Sequence, residues 1–359
     1  MRPIALLFAA HLALFTTAQD KREKARDMAR EAVQLMDDGR IAESIKLLEK
    51  ADKMDPGTHL YLYEIGFAHQ LNKDYAKAAT YFRKAAKAPD ATDQCWQMLG
   101  NVYDYAGEPE KADAAYDEGL VAFPNSGRLY MEKAVMATNR KDFEEAIRLH
   151  EEGIKADPAY PTNYHRLALH FILNSQNEVW GMIYGELLMN IERHSDRAAS
   201  TSKLLYDTYK KEITFPTDST ASVSFFSSMA MDVNAMLSSG SLKLPFGTMG
   251  YEMPLSIAVA GEDSIDLASL DRIRTRFIDG FYDNKLDEEY PNLLFAFQKQ
   301  VRDAGHMQAY NYWLLRKGND RAFKAWQAEN REAYEAFLEW FRTNPLGVDK
   351  EHYFVRTQY

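Results

Sequence analysis

Residues 96–124 read WQMLGNVYDYAGEPEKADAAYDEGLVAFP. Trp96, Gly100 and Tyr103 stand at i, i+4 and i+7, and Ala112, Tyr116 and Gly119 repeat that spacing before Pro124 closes the stretch. Residues so spaced share one face of a helix. The stretch therefore reads as two helices. Gly107 breaks the first, and Pro109 suits the opening turn of the second, where its missing N–H would be unpaired anyway. Trp96 and Tyr103 give bulk, Gly100 lets a neighbouring helix come close, and Tyr116 fills the space between the small Ala112 and Gly119. Pro124 cannot continue a helix, so the unit stops there.

A shift of 34 residues maps this stretch onto its neighbours. Leu62, Trp96, Tyr130 and Tyr164 form one column, and Gly66, Gly100, Ala134 and Ala168 the next. In the second helix the columns are Ser44, Ala78, Ala112 and Ala146, then Leu48, Phe82, Tyr116 and His150, then Ala51, Ala85, Gly119 and Gly153. Pro56, Pro124 and Pro158 close their units, with Pro89 one residue early. A fixed period of this length marks a solenoid of stacked helix pairs. Two positions depart from it. His150 replaces an aromatic residue, and Lys133 sits in a column otherwise held by Ile65, Leu99 and Leu167.

These columns resemble the tetratricopeptide repeat, in an exported bacterial type, over about residues 25–175, with a degenerate fifth unit to about 195. In that fifth unit Trp180 stands where a small residue is expected and Gly181 and Gly185 lie one step later, which predicts a shifted second helix. The resemblance implies an all-α fold: a tetratricopeptide-repeat α-solenoid. It also implies a concave groove lined by the first helices, where a protein or peptide partner binds. Carried onto this sequence, the groove positions include Tyr63 and Phe67 in the second unit, Gln97, Asn101 and Tyr105 in the third, and Arg128 and Met131 in the fourth. The subtype that grips chaperone tails is rejected. Of its carboxylate clamp only Asn101 and Arg166 match, and Glu132 would repel a carboxylate.

Residues 1–18 read as a leader. Arg2 gives the positive end, Ile4 to Phe15 form a 12-residue apolar core, and Thr16-Thr17-Ala18 precede a cut before Gln19. An uncleaved anchor is the competing reading, but a spanning helix needs roughly 20 apolar residues. The expectation is an exported chain, periplasmic or secreted, with no transmembrane segment after cleavage. Across 359 residues, 46% are hydrophobic and the net charge is -10, which suits a globular chain and disfavours a nucleic-acid partner. The single cysteine, Cys95, excludes an intramolecular disulfide and a cysteine-based zinc site.

The division expected is a leader (1–18), repeats (19–195) and an all-helical C-terminal domain or cap (196–359). In the last part, helix signals run over Lys203–Lys211, Val223–Leu237, Glu252–Ala260 and Leu267–Phe281, between the loop-like TFPTDST and SSGSLKLPFG. Pro291 to Gly305, Met307 to Leu315, a segment capped by Asn319 or Asp320, and one after Asn330 complete the set. The aromatic residues there, among them Phe323, Trp326, Phe337 and Trp340, recur at helical steps and predict a core, with a sugar- or peptide-binding platform as the alternative. No metalloprotease, nucleophile-elbow or phosphate-loop motif occurs, and His165 and His170 are five apart, on different faces of a helix. No cofactor, metal or catalytic residue is expected. The leading expectation is a non-catalytic scaffold. A glycan-binding accessory protein of the cell envelope and an enzyme with an unrecognised site in residues 196–359 are the alternatives.

Overall fold

The computed structural model describes residues 4–217, 220–227 and 244–359, with the side chains of 4–18 excepted. Two compact units divide between Leu149 and His150. The expected boundary at residues 195 and 196 falls inside the second. The expected leader lies outside the described side chains, although its backbone from Ile4 onward belongs to α1. No helix among the described residues is long and apolar enough to cross a membrane.

The first unit is built from helix pairs: α1 (Ile4–Asp37) on α2 (Ile41–Met54), α3 (His59–Leu71) on α4 (Tyr75–Ala86), and α5 (Asp93–Tyr105) on α6 (Pro109–Ala122). α7 (Gly127–Asn139) packs on α6, and Ala134 and Ala137 meet Ala146 and Leu149 of α8 (Phe143–Ala156). The glycine columns have a direct cause. A Cβ on Gly100 would sit 2.1 Å from the Tyr116 ring, and one on Gly66 would sit 2.9 Å from Phe82. Thr58, Asp74 and Ser126 cap α3, α4 and α7 by accepting backbone N–H groups of Leu60, Lys77 and Leu129. Lys133, the charged residue in an apolar column, reaches Asp113 at 3.2 Å and Asp117 at 2.5 Å on α6.

The turn between the helices of each pair holds a second column. Gly39, Lys73, Gly107 and Lys141 stand 34 apart and all have φ between 59° and 76°. The left-handed conformation suits glycine and strains a lysine.

In the second unit, α9 (Pro161–Asn174) pairs with α10 (Glu178–Ile191). The predicted shift is present: a Cβ on Gly181 would lie 2.5 Å from Ile172, so Gly181 makes the close approach and Trp180 stacks on Phe246 at 5.3 Å. His150, in the aromatic column, is buried and bonded to Asn163 at 2.9 Å. Every residue of α10 from Glu178 to Asn190 is buried. Its cover comes from α9, from α11 (Asp196–Glu212), and from later helices. These are α12 (Met253–Ala258, after a π-helical turn over Gly247–Glu252), α13 (Leu267–Asp283), α14 (Leu286–Glu289), α15 (Leu293–Asp303), α16 (Met307–Leu315), α17 (Asp320–Glu329) and α18 (Arg331–Thr343).

Most C-terminal helices fall where their caps place them. Asn319 accepts from the Ala322 N–H, and Asn292 accepts from Leu294 and Phe295, one residue after the Pro291 start. Gly305, with φ 77°, ends α15. The expected loop TFPTDST is different. Ile213–Thr217 and Thr220–Val223 pair as an antiparallel hairpin, β1 and β2, with Ile213 opposite Val223 and Thr217 opposite Thr220. Most of the Val223–Leu237 and SSGSLKLPFG segments lies outside the described residues. The aromatic stripe is core: Phe337 is fully buried, Phe323 and Trp326 nearly so, and Tyr312 stacks on Trp326 at 4.2 Å. Trp340, the fourth ring of that stripe, is half-buried.

Two outcomes are expected. Lys73→Gly relieves a left-handed lysine and stabilises the chain by about 1 kcal/mol, read as a higher melting temperature. A chain truncated after Asp196 uncovers α10. Exposing four or five large side chains costs on the order of 6–15 kcal/mol, so that chain aggregates or melts far below the full-length protein in light-scattering and thermal scans.

Candidate partner-binding groove

The first helices of successive pairs, α3, α5 and α7, touch one another directly in the first unit. A 34-residue register brings equivalent side chains on them side by side, and hydrogen bonds link them across the steps. Gln94 Nε2 donates to the Tyr63 hydroxyl at 2.8 Å. Arg128 Nη1 donates to Gln97 Oε1 at 3.0 Å, and Gln97 Nε2 donates to Glu132 at 2.5 Å. The Ser126 hydroxyl donates to Asp93 at 2.6 Å, with Arg128 Nε 3.7 Å from the same carboxylate.

The seven candidate residues differ in what they offer. Tyr63 and Phe67 on α3 are half-buried, and the Tyr63 ring meets Phe82 edge-on at 5.4 Å. Gln97 and Arg128 come together in the bridge just described. Asn101 accepts a hydrogen bond from the Tyr116 hydroxyl at 2.6 Å, so its carbonyl side is occupied within its own pair. Met131 is buried. Tyr105 is the open one, 57% exposed, with its ring 6.2 Å from that of Tyr75 on α4.

Burial pushes the Tyr63 phenol up, and it raises the Glu64 carboxyl on the same helix. Burial also holds the Cys95 thiol above its ordinary value, against weaker help to the thiolate from Thr92. Among the described residues no three His, Cys, Asp or Glu side chains are grouped to hold a metal ion. The bridges to Gln94, Asp93 and Glu132 were not anticipated from sequence. Their signal is a separation of 31 to 35 residues between polar partners, close to the repeat length.

Residues 25–92 and 98–161 match the family model described as tetratricopeptide repeat. Those two stretches are tetratricopeptide repeats. The chain is similar to anaphase-promoting complex subunit 3 of Schizosaccharomyces pombe, 28% identical over 117 residues, covering 32% of this chain and 17% of that protein. It is also similar to photosystem I assembly protein Ycf3 of Rippkaea orientalis, 27% identical over 132 residues, covering 34% of this chain and 76% of that protein. The chain thus spans about a sixth of the first relative's length. Among solved structures, PilF of Pseudomonas aeruginosa is 17% identical, covering 53% of this chain and 85% of that chain, with a TM-score of 0.40. MamA is 15% identical, covering 45% of this chain and 94% of that chain, with a TM-score of 0.36.

Proposed function

We propose that this protein is a non-catalytic, exported scaffold that binds a protein or peptide partner in the groove formed by the first helices of its repeats. The observation that carries the reading is a row of aromatic, amide and arginine side chains on three successive helices, in which Gln94 bonds to Tyr63 and Arg128 to Gln97. Hydrogen bonding between neighbours holds these side chains in place before a partner arrives, which lowers the ordering cost of binding. Aromatic and arginine side chains are also the types that anchor interfaces. The leader-like residues 1–18 support export, and the net charge of -10 supports a protein partner over nucleic acid.

Crosslinking in the native cell followed by mass spectrometry identifies the partner. Replacing Tyr63, Phe67, Asn101 and Tyr105 with alanine weakens its capture, because each truncated anchor side chain costs about 1–4 kcal/mol of binding. Capture unchanged by all four substitutions contradicts the groove reading and moves the search to residues 196–359.

A further inference from the structure

A second surface of the first unit has the opposite chemistry to the chain as a whole. A cleft of about 580 Å³ opens between α4 and the turn joining α5 to α6. Its lining includes the small residues Ala76, Ala79 and Thr80 of α4 and Ala106, of which Ala79 is buried. Its walls are the Tyr75 and Tyr103 rings. Around it stand four cations, Arg83, Lys84, Lys87 and Lys111, against one carboxylate, Glu108, in a chain of net charge -10.

The cations differ in how they are held. Lys111 lies 2.8 Å from Glu108 and over the Tyr103 ring at 5.7 Å. Arg83 pairs with Glu118 at 2.9 Å, with both side chains substantially exposed. Exposed pairs of this kind contribute little and exchange readily for another carboxylate. Lys84, near the end of α4 with its amine 4.9 Å over the Tyr81 ring, and Lys87, just past that end, are exposed, and among the described residues neither forms a salt bridge with a carboxylate.

We propose that this cleft, between α4 and the α5–α6 turn, binds an acidic linear segment of a partner protein, with apolar side chains against its alanines and carboxylates toward Arg83, Lys84 and Lys87. Charge complementarity selects the occupant: a local excess of cations in an acidic protein attracts a short anionic segment and repels the rest of an acidic surface. A nucleic acid fits less well. Lys111 stands 5.7 Å over the Tyr103 ring, Tyr75 packs toward Tyr105, and the Glu108 carboxylate within the cleft repels a phosphate.

Fluorescence anisotropy on the full chain tests this, using a labelled peptide of alternating glutamate and leucine and a labelled oligothymidylate. The peptide binds at low salt and is released as salt rises, and the oligothymidylate does not bind. Lys84→Glu with Lys87→Glu lowers peptide affinity by about tenfold or more, since both charges reverse. Ala76→Trp, which fills the cleft without changing charge, also lowers it. Tyr63→Ala with Phe67→Ala, in the groove, leaves it unchanged. Circular dichroism melts confirm that each variant is folded. Absence of peptide binding by the parent chain, unchanged affinity in the folded lysine or Ala76 variants, loss of affinity in the groove variant, or tighter binding of oligothymidylate overturns the proposal.

Discussion

A Cβ on Gly100 would sit 2.1 Å from the Tyr116 ring, so the aromatic face of α6 rests on the bare backbone of α5. That contact sets how closely a pair can approach, and Gly66 with Phe82 repeats it one unit earlier. Gly119 does the same both within its pair, where a Cβ would meet Trp96 at 2.7 Å, and toward the next helix, where it would meet Leu129 of α7 at 2.9 Å. Because packed interiors tolerate little change in volume, each unit fixes the position of the next. The row of side chains across α3, α5 and α7 exists only because those spacings are kept.

The second unit is organised by a different interaction. Arg274 and Glu186, both buried, form an ion pair at 2.7 Å. Arg274 also donates to Asn311 at 2.7 Å and to the Tyr209 hydroxyl at 2.9 Å. Glu186 accepts from Gln298 at 2.6 Å and from the Tyr310 hydroxyl at 2.8 Å. Burial works against the guanidinium charge, and the neighbouring Glu186 more than offsets it, so Arg274 is held above its ordinary range. Removing either partner of a buried pair leaves an uncompensated charge and is strongly destabilising. The network ties α10, the last helix with repeat character, to α11, α13, α15 and α16.

The repeat was legible because its cause is local and recurs: a small residue opposite an aromatic one, then a proline, every 34 positions. Asn292, Asn319 and Gly305 were legible for the same reason, since a cap acts within a few residues of itself. The hairpin over Ile213 to Val223 was hidden by its Pro216 and by threonines that also read as a loop. The Glu186–Arg274 pair joins residues 88 apart with no period to reveal it. In the groove, sequence named Gln97 and Arg128 through the family resemblance. Which of the seven candidates are held by neighbours and which stand open depends on packing, as the contrast between buried Met131 and exposed Tyr105 illustrates.

The account rests most heavily on partner contact at the first helices of the repeats. Incorporating a photo-crosslinking phenylalanine analogue at Tyr105, and in a parallel chain at the exposed Leu338 of α18, measures this in the native cell. The account predicts one discrete crosslinked partner from position 105, absent when Phe67 is also replaced by alanine, and none from position 338. Crosslinks from position 338 alone, or from position 105 with no dependence on Phe67, would contradict it.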